Sequence, residues 1–278
     1  MSYILSKDNF ENLQEFIYRK SGIYLDKDKH YEKLAKYIEK RVLSLDMDSF
    51  KKYFYKLRFD DFSSQEFQSL INYITVNETY FYRENNQFET LVKHVLPELD
   101  DKLEKGKPIR ILSSPCSSGE EPYSILLHII QKYPLPYKRD IEIVGIDIDS
   151  MIIDKAKKGL FSERSVQSIP KELLNTWFEK IDIGYKISDK LSAKVQFKVV
   201  NVFDKNKMLE LGKFDIIFSR NMLIYFDDSS RKEVVMTFYN MLNENGCIFL
   251  GHAENMNRIV SVFNSKKINN TLMYTKER

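Results

Sequence analysis

Ile111-Leu-Ser-Ser-Pro-Cys-Ser-Ser-Gly-Glu-Glu-Pro-Tyr-Ser124 reads as the end of a buried strand, a tight loop of small residues, and a helix start with two acids in its first turn. A strand, loop and helix in this order put loop backbone and a carboxylate at the open end of a parallel sheet, where α/β proteins bind nucleotides. The flanking sequence supplies the rest of such a sheet. Residues 109–112 predict the first strand and 141–146 a second ending at Asp147. Residues 195–200 predict a strand ending at Asn201, 214–218 one ending at Arg220-Asn221, and 247–250 another. Helical spacing over 122–133, 150–158 and 229–242 alternates with them, which implies a mostly parallel sheet covered by helices on both faces. A last strand over 268–275 follows without a long helix and is expected at an antiparallel edge. Residues 171–178 read as a helix. The weak alternation that follows, with Gly184-Tyr185 and Ser188-Asp189 as turn signals, predicts a small inserted β hairpin at about 180–197.

The first 95 residues have another character. Phe10, Leu13, Phe16 and Ile17 fall at helical spacing within 9–20, and Gly22 stops that helix. Residues 29–45 carry Leu34, Ile38, Val42 and Leu45 on one stripe and Lys29, Lys33, Lys36 and Lys40 on the opposite one, with Arg41 adjacent. Further helices are expected over 49–57, 64–76 and 88–103. The expected division is an all-helical N-terminal domain with linker over 1–95 and an α/β domain over 96–278.

Composition bounds the function. The chain has 278 residues, 43% hydrophobic and 30% charged, as in globular proteins with real cores. Two cysteines are too few for a disulfide framework or a metal cage, and no metal site is expected. No apolar run is long enough to span a bilayer, and residues 1–10 lack a signal-peptide core, so a cytoplasmic setting is the default expectation. A net charge of +3 gives nucleic acid binding little support.

Several short motifs carry chemistry beside a plainer reading. Ser118 and Glu121 fit an S-x-x-E capping box, with Pro122 in the first turn. That accounts for these three residues and leaves the second acid and the run of small residues unexplained. The loop has one glycine, Gly119, which weakens a dinucleotide reading. Its acids would repel a phosphate and tolerate the α-ammonium of S-adenosylmethionine. Asp147, at the end of the second strand, suits a ribose diol, because Asp149 or Ser150 is available to cap the next helix. In Asn77-Glu-Thr-Tyr-Phe-Tyr-Arg-Glu84, three consecutive aromatics fit either a ligand cover or an aromatic domain junction. Asn201 and Arg220-Asn221 place polar groups at strand ends, with Tyr225 just beyond; ordinary loop ends are the plain alternative for each singly.

Together, Asn77 to Glu84, Pro115 to Ser124, Asp147-Ile-Asp149, Phe214 to Phe226 and Gly251-His-Ala-Glu-Asn255 resemble the CheR family of chemotaxis receptor methyltransferases. Five motifs occur in the family's order across nearly the whole chain. The resemblance implies a Rossmann-like class I methyltransferase sheet behind an all-helical domain, and methylation of receptor glutamates to methyl esters with S-adenosylmethionine. It also implies that Asn77, Thr79 and Arg83 contact the cofactor, that Glu121 faces its methionine end, and that Asp147 holds the ribose. Asn201-Val202 would flank the adenine and Arg220-Asn221 would line the pocket. Tyr225 would sit near the transferred methyl. Pro115, Ser219 and Ala253 depart from the commoner family residues, and the insert between Lys180 and Gln196 is shorter than in relatives that dock a receptor's C-terminal peptide.

A glutamate is already ionised at neutral pH, with an ordinary pKa of about 4.3, so no strong base is needed. His94, His128 and His252 are therefore not expected in catalysis, and Arg83 or Tyr225 is the candidate to orient the incoming carboxylate. The row Lys29, Lys33, Lys36, Lys40 and Arg41 is a candidate contact for the acidic helical bundle of a receptor's cytoplasmic domain; a solvated helix face is the plain alternative. The chain is expected to be monomeric, without membrane insertion. A nucleic-acid methyltransferase is disfavoured, because Arg220-Asn-Met-Leu replaces the Asn-Pro-Pro-Tyr-like element of such enzymes. A non-catalytic S-adenosylmethionine-binding adaptor remains the alternative from a different class.

Overall fold

The computed structural model describes residues 5–59, 63–133 and 139–276. Four helices open the chain: α1 (Lys7–Ser21), α2 (Lys27–Ser44), α3 (Phe50–Phe59) and α4 (Ser63–Ile74). Ser6 caps α1 by accepting from the Asn9 N–H at 3.1 Å, and Asp26 caps α2 through the Lys29 N–H. Gly22 stops α1 at φ 72°, a left-handed conformation natural to glycine. The apolar stripes meet in one core containing Phe10, Leu13, Ile17, Leu34, Ile38, Val42, Leu57 and Leu70. Each such side chain contributes roughly 1.5–3 kcal/mol of burial free energy.

This core also holds a charge. Glu66 is buried and accepts two hydrogen bonds from Arg41, at 2.9 and 2.5 Å, and one from the Tyr53 hydroxyl at 2.9 Å. Burial works to raise the Glu66 carboxyl, but these partners outweigh it and hold the group below its ordinary range. The expectation that Arg41 joins the solvent-facing lysine row is therefore corrected: it pairs inward, while Lys29, Lys33, Lys36 and Lys40 are exposed.

The expected helix over 88–103 begins earlier and is interrupted. It comprises α5 (Asn85–Thr90), a π-helical turn (Leu91–Val95) and α6 (Leu96–Lys102). Phe88, Leu91, Val95 and Leu96 pack with Ile109 and Ile111 of the first strand. The helical core ends at Ile74 and the sheet core begins at Phe81, so we place the division between the domains near residue 76 rather than at 95.

The second domain runs β1 (Ile109–Ser113), α7 (Glu120–Lys132), β2 (Ile141–Asp147), α8 (Ser150–Lys158), β3 (Leu160–Phe161), α9 (Glu163–Val166), α10 (Lys171–Trp177), β4 (Phe178–Ile181), β5 (Gly184–Ile187), α11 (Asp189–Ser192) and β6 (Val195–Val199). It continues with α12 (Lys205–Glu210), β7 (Phe214–Ser219), α13 (Asp228–Met241), β8 (Leu242–Leu250), β9 (Asn264–Ile268) and β10 (Thr271–Thr275). The main sheet has the order β6-β2-β1-β7-β8-β10-β9, and its first five strands are parallel. Strand order reverses at β1, so the crevice beyond its C-terminal end is the ligand position such sheets favour. Residues alternate between the two faces. Ile109 and Ile111 join α7 residues on one side, and Leu112, Val144 and Ile217 join α13 residues on the other.

Two strand expectations are corrected. The single last strand over 268–275 is a hairpin, β9 and β10, turning at Asn269, whose φ is 52°. The final strand, β10, lies between β8 and β9, and β9 forms the edge. The inserted hairpin spans β4 and β5 rather than 180–197; β3 extends it into a three-stranded sheet, and residues 195–199 belong to the main sheet.

Candidate functional site

A cavity of about 750 Å³ lies where the parallel strands end. The loops after β1, β2, β6 and β7 form its floor, and the α1–α2 and α4–α5 connections close it from the N-terminal side. The volume is in the range of small-molecule and cofactor sites. Asn77, Thr79, Arg83, Glu121, Asp147, Asn201, Val202, Arg220, Asn221 and Tyr225 all line it.

Gly119 caps α7 at φ 97°, and an added Cβ there would lie 3.1 Å from the Phe197 and Tyr123 rings. The expected capping box does not form. Ser118 Oγ donates to Glu120 Oε2 at 2.6 Å, and the buried Glu120 also accepts from Ser165. Glu121 turns inward, accepting from Ser113 Oγ at 2.7 Å and facing Arg220 Nη1 at 3.0 Å. Arg220 Nε is 3.4 Å from Glu84, and Nη2 donates to the Arg83 carbonyl at 2.5 Å. The buried guanidinium, 5.3 Å from the Phe88 ring, thus sits between two carboxyl groups, one more acid than base in the cluster. Burial pushes the Glu121 carboxyl up, and Arg220 and Ser113 oppose that shift.

Among the described residues, buried Asp147 has no cationic partner. Its carboxylate accepts from the backbone N–H groups of Ser117 and Asp149, both at 3.0 Å. Burial raises its pKa to about 6, although these bonds favour the ionised form. Asp149 takes the capping role, accepting from Met151 and Ile152. It also receives Thr75 Oγ1 at 2.7 Å and Asn77 Nδ2 at 2.9 Å, which fastens the α4–α5 connection to α8. Ser114 Oγ and Ser117 Oγ face no hydrogen-bond partner although both are buried in the cavity wall, and Ser117 holds φ 48°. Unused hydroxyls and an excess carboxylate suit a polar ligand with a cationic group at one end and hydroxyls at the other.

At the far wall, Asn201 donates to the Lys20 carbonyl at 2.7 Å and accepts from Phe203 N–H at 3.0 Å. Both ends of its amide are engaged, so with Val202 it offers a wall rather than a free hydrogen bond. Tyr225 stands half-exposed at the mouth, and its carbonyl accepts from Tyr24 N–H at 3.4 Å. Arg83 Nη1 donates to the Glu78 carbonyl at 2.9 Å; among the described residues no carboxylate lies within ion-pair distance of it. Neither His94, His128 nor His252 lines the cavity, and burial pushes His128 down to about 4. Among the described residues no cluster suited to a metal occurs.

Residues 77–272 match the CheR methyltransferase SAM-binding domain, and residues 8–75 match the all-alpha domain of the same methyltransferases. The chain belongs to the CheR methyltransferase family. Its cofactor is S-adenosylmethionine. Over 278 residues it is 41% identical to chemotaxis protein methyltransferase 2 of Vibrio cholerae, covering 98% of this chain and 94% of that protein. The chemotaxis protein methyltransferase of Borreliella burgdorferi is 32% identical over 259 residues, covering 90% and 89%. Among solved structures, an O-methyltransferase family protein from Burkholderia thailandensis has a TM-score of 0.38 at 12% identity, covering 77% of this chain and 70% of that one, a likeness too loose to bear on function.

Sequence reasoning missed three parts of this CheR site. Glu84 closes a quoted motif but declares its role only through Arg220, 136 positions away by number (220 − 84). Glu254 lies in another quoted motif and staples the loop after β7. The α1–α2 connection carries no polar motif, yet Ser21, Tyr24, Asp26 and Lys29 line the cavity. It is bolted in place by Tyr18 Oη donating to Asp227 at 2.6 Å and by Gly22, where a Cβ would lie 2.9 Å from the Phe203 ring.

Proposed function

We propose that this chain transfers the methyl group of S-adenosylmethionine to glutamate side chains in the cytoplasmic domain of methyl-accepting chemotaxis receptors, giving glutamate methyl esters. When bound, the cofactor supplies an electrophilic methyl carbon with a neutral thioether as leaving group. Glu121, restrained by Arg220, receives the α-ammonium, whose positive charge balances the cluster. Asp147 holds the ribose hydroxyls, with Ser114 and Ser117 as further polar contacts. Asn77 and Thr79 close the cavity from the linker side, Asn201 and Val202 form the adenine wall, and Asn221 lines the floor.

The observation that carries the glutamate reading is Arg83. Among the described residues it is the cavity-lining guanidinium without an acidic partner: Arg220 faces Glu84 and Glu121, and Arg231 pairs with Asp228. A carboxylate entering past Tyr225 is drawn to Arg83 and oriented there. The acceptor needs no deprotonation, so the barrier falls through alignment and removal of water, for which effective molarities of roughly 10⁵ M or more are attainable. The exposed Lys29, Lys33, Lys36 and Lys40 on α2 present a cationic row to an acidic receptor helix, and association through them is salt-sensitive. Names of relatives in Vibrio cholerae and Borreliella burgdorferi as chemotaxis methyltransferases support the same assignment.

The test is incubation of purified protein with methyl-labelled cofactor and receptor cytoplasmic fragments, followed by release of labelled methanol with base. Base-labile label on the fragments is expected. Tight S-adenosylhomocysteine binding without any label on receptor fragments would replace this reading with that of a cofactor-binding adaptor.

A further inference from the structure

One carboxylate beside the site does not line the cavity and has no part in the chemistry above. Glu254 follows β8, and its two oxygens accept three backbone N–H groups: Gly251 at 2.8 Å and Asn221 at 3.0 Å on Oε2, and Leu223 at 2.7 Å on Oε1. Two of those donors belong to the loop after β7, which carries Arg220, Asn221 and, on its 3₁₀ turn (Leu223–Tyr225), the mouth residue Tyr225. Asn221 sits at φ 58°, a left-handed conformation that asparagine adopts more readily than most residues with a side chain. The clamp has room only because residue 251 is glycine. A Cβ there would lie 2.9 Å from both Asn221 N and Nδ2 and 3.0 Å from Glu254 Oε2.

We propose that Glu254 is a positioning residue for methyl transfer: with Gly251 it fixes the backbone of 221–223 and so sets where Asn221 and Tyr225 stand. The assignment rests on reading the cavity as the methyl-transfer site. Three donors converging on one group require an acceptor at both oxygens. A carboxylate meets that demand, and the amide of glutamine does not, because one of its ends would turn N–H groups toward a backbone N–H.

The experiment uses the full chain and compares Glu254→Gln, Glu254→Asp and Gly251→Ala with the parent. Steady-state methylation, calorimetric S-adenosylhomocysteine binding, thermal melting and amide hydrogen exchange are measured on each. Glu254→Gln is expected to lower kcat by on the order of tenfold to a hundredfold, the scale on which displacement of about 1 Å costs rate. Cofactor-product affinity should change only a few-fold, since Glu121 and Asp147 are untouched, and exchange at Leu223 should accelerate. Glu254→Asp should recover part of the rate, and Gly251→Ala, which pushes Asn221 with the carboxylate in place, should show the same split. Combining Glu254→Gln with Tyr225→Phe should cost less than the product of the single effects. Parental kcat and Leu223 exchange in Glu254→Gln would overturn the proposal, as would losses of rate and affinity that merely track the unfolded fraction. If the parent itself methylates nothing, the glutamate reading fails. The positioning claim is then decided by Leu223 exchange: acceleration in Glu254→Gln supports it, and parental exchange overturns it.

Discussion

Glu66 in the helical domain and Asp147 in the cavity are each 5% exposed, Asp147 being the more deeply enclosed, and their chemistry runs in opposite directions. Glu66 has a bidentate arginine and a tyrosine hydroxyl, and it is held below the ordinary carboxylate range against the pull of burial. Among the described residues Asp147 has backbone N–H groups alone as partners, those of Ser117 and Asp149 foremost, and is pushed up to about 6 by burial. A carboxylate that serves the fold has its partners within the chain. On the ribose role proposed for Asp147, a carboxylate kept for a ligand is left incomplete, and the free protein bears that cost.

The contrast can be broken most forcefully from the Glu66 side. Arg41→Ala leaves a buried carboxylate without its cation and should destabilise the protein by about 2–3 kcal/mol, at or just below the range for a broken buried pair because Arg41 is itself partly exposed. Chemical denaturation should show this loss, while S-adenosylhomocysteine affinity of the folded fraction stays unchanged. A comparable fall in affinity would mean that Arg41 acts on the cavity as well.

Asp147→Asn should do the reverse. If Asp147 holds the ribose as proposed, calorimetry should show affinity lower by on the order of tenfold to a hundredfold, the effect of losing a charge-assisted hydrogen bond of about 1.5–3 kcal/mol. Stability of the ligand-free protein at pH 8 should fall by less than about 1 kcal/mol, because the ionised form it removes is already penalised by burial. Major unfolding of this variant would show that Asp147 is a structural acid after all.

The smallest effect separates the two by pH. Asp147 binds its proton more tightly in the folded, ligand-free protein than in the unfolded chain. Its ionised form therefore lowers stability as pH rises from the ordinary aspartate range through about 6. Cofactor binding that needs the ionised form should weaken as pH falls below that point, reaching about tenfold one pH unit lower. Glu66 has the opposite sign. Its stabilisation is complete above the ordinary glutamate range and is lost only as pH falls through its depressed value. Titration monitored by calorimetry and circular dichroism should thus lose ligand affinity before helical structure; simultaneous loss would erase the distinction.

Much of the architecture was legible because apolar spacing changes from helical to strand-like near residue 109, and three of the five parallel strands end on a polar residue, Ser113, Asp147 and Ser219. Local chemistry narrowed the α8 cap to Asp149 or Ser150, and Asp149 takes it. The failures share a cause, which is partners remote in sequence. Ser118 and Glu121 have capping-box spacing, but Ser113 and Arg220 compete for Glu121 and win. Arg41 looks like one more member of a lysine row until Glu66 folds against it. The β9–β10 turn uses Asn269 rather than glycine, so its break in the strand was hidden. Within the candidate site, the residues at strand ends were visible, whereas the Glu84–Arg220–Glu121 arrangement exists only after three separate segments meet.

Gly22 carries a consequence for anyone recombining these proteins. Its missing side chain lets the turn between the first two helices press against Phe203 and Phe226, which makes that turn part of the cofactor chamber's wall. The helical module is thus no detachable adaptor. Grafting it from a relative would transplant a piece of the cavity too, and the two aromatic rings would have to travel with it.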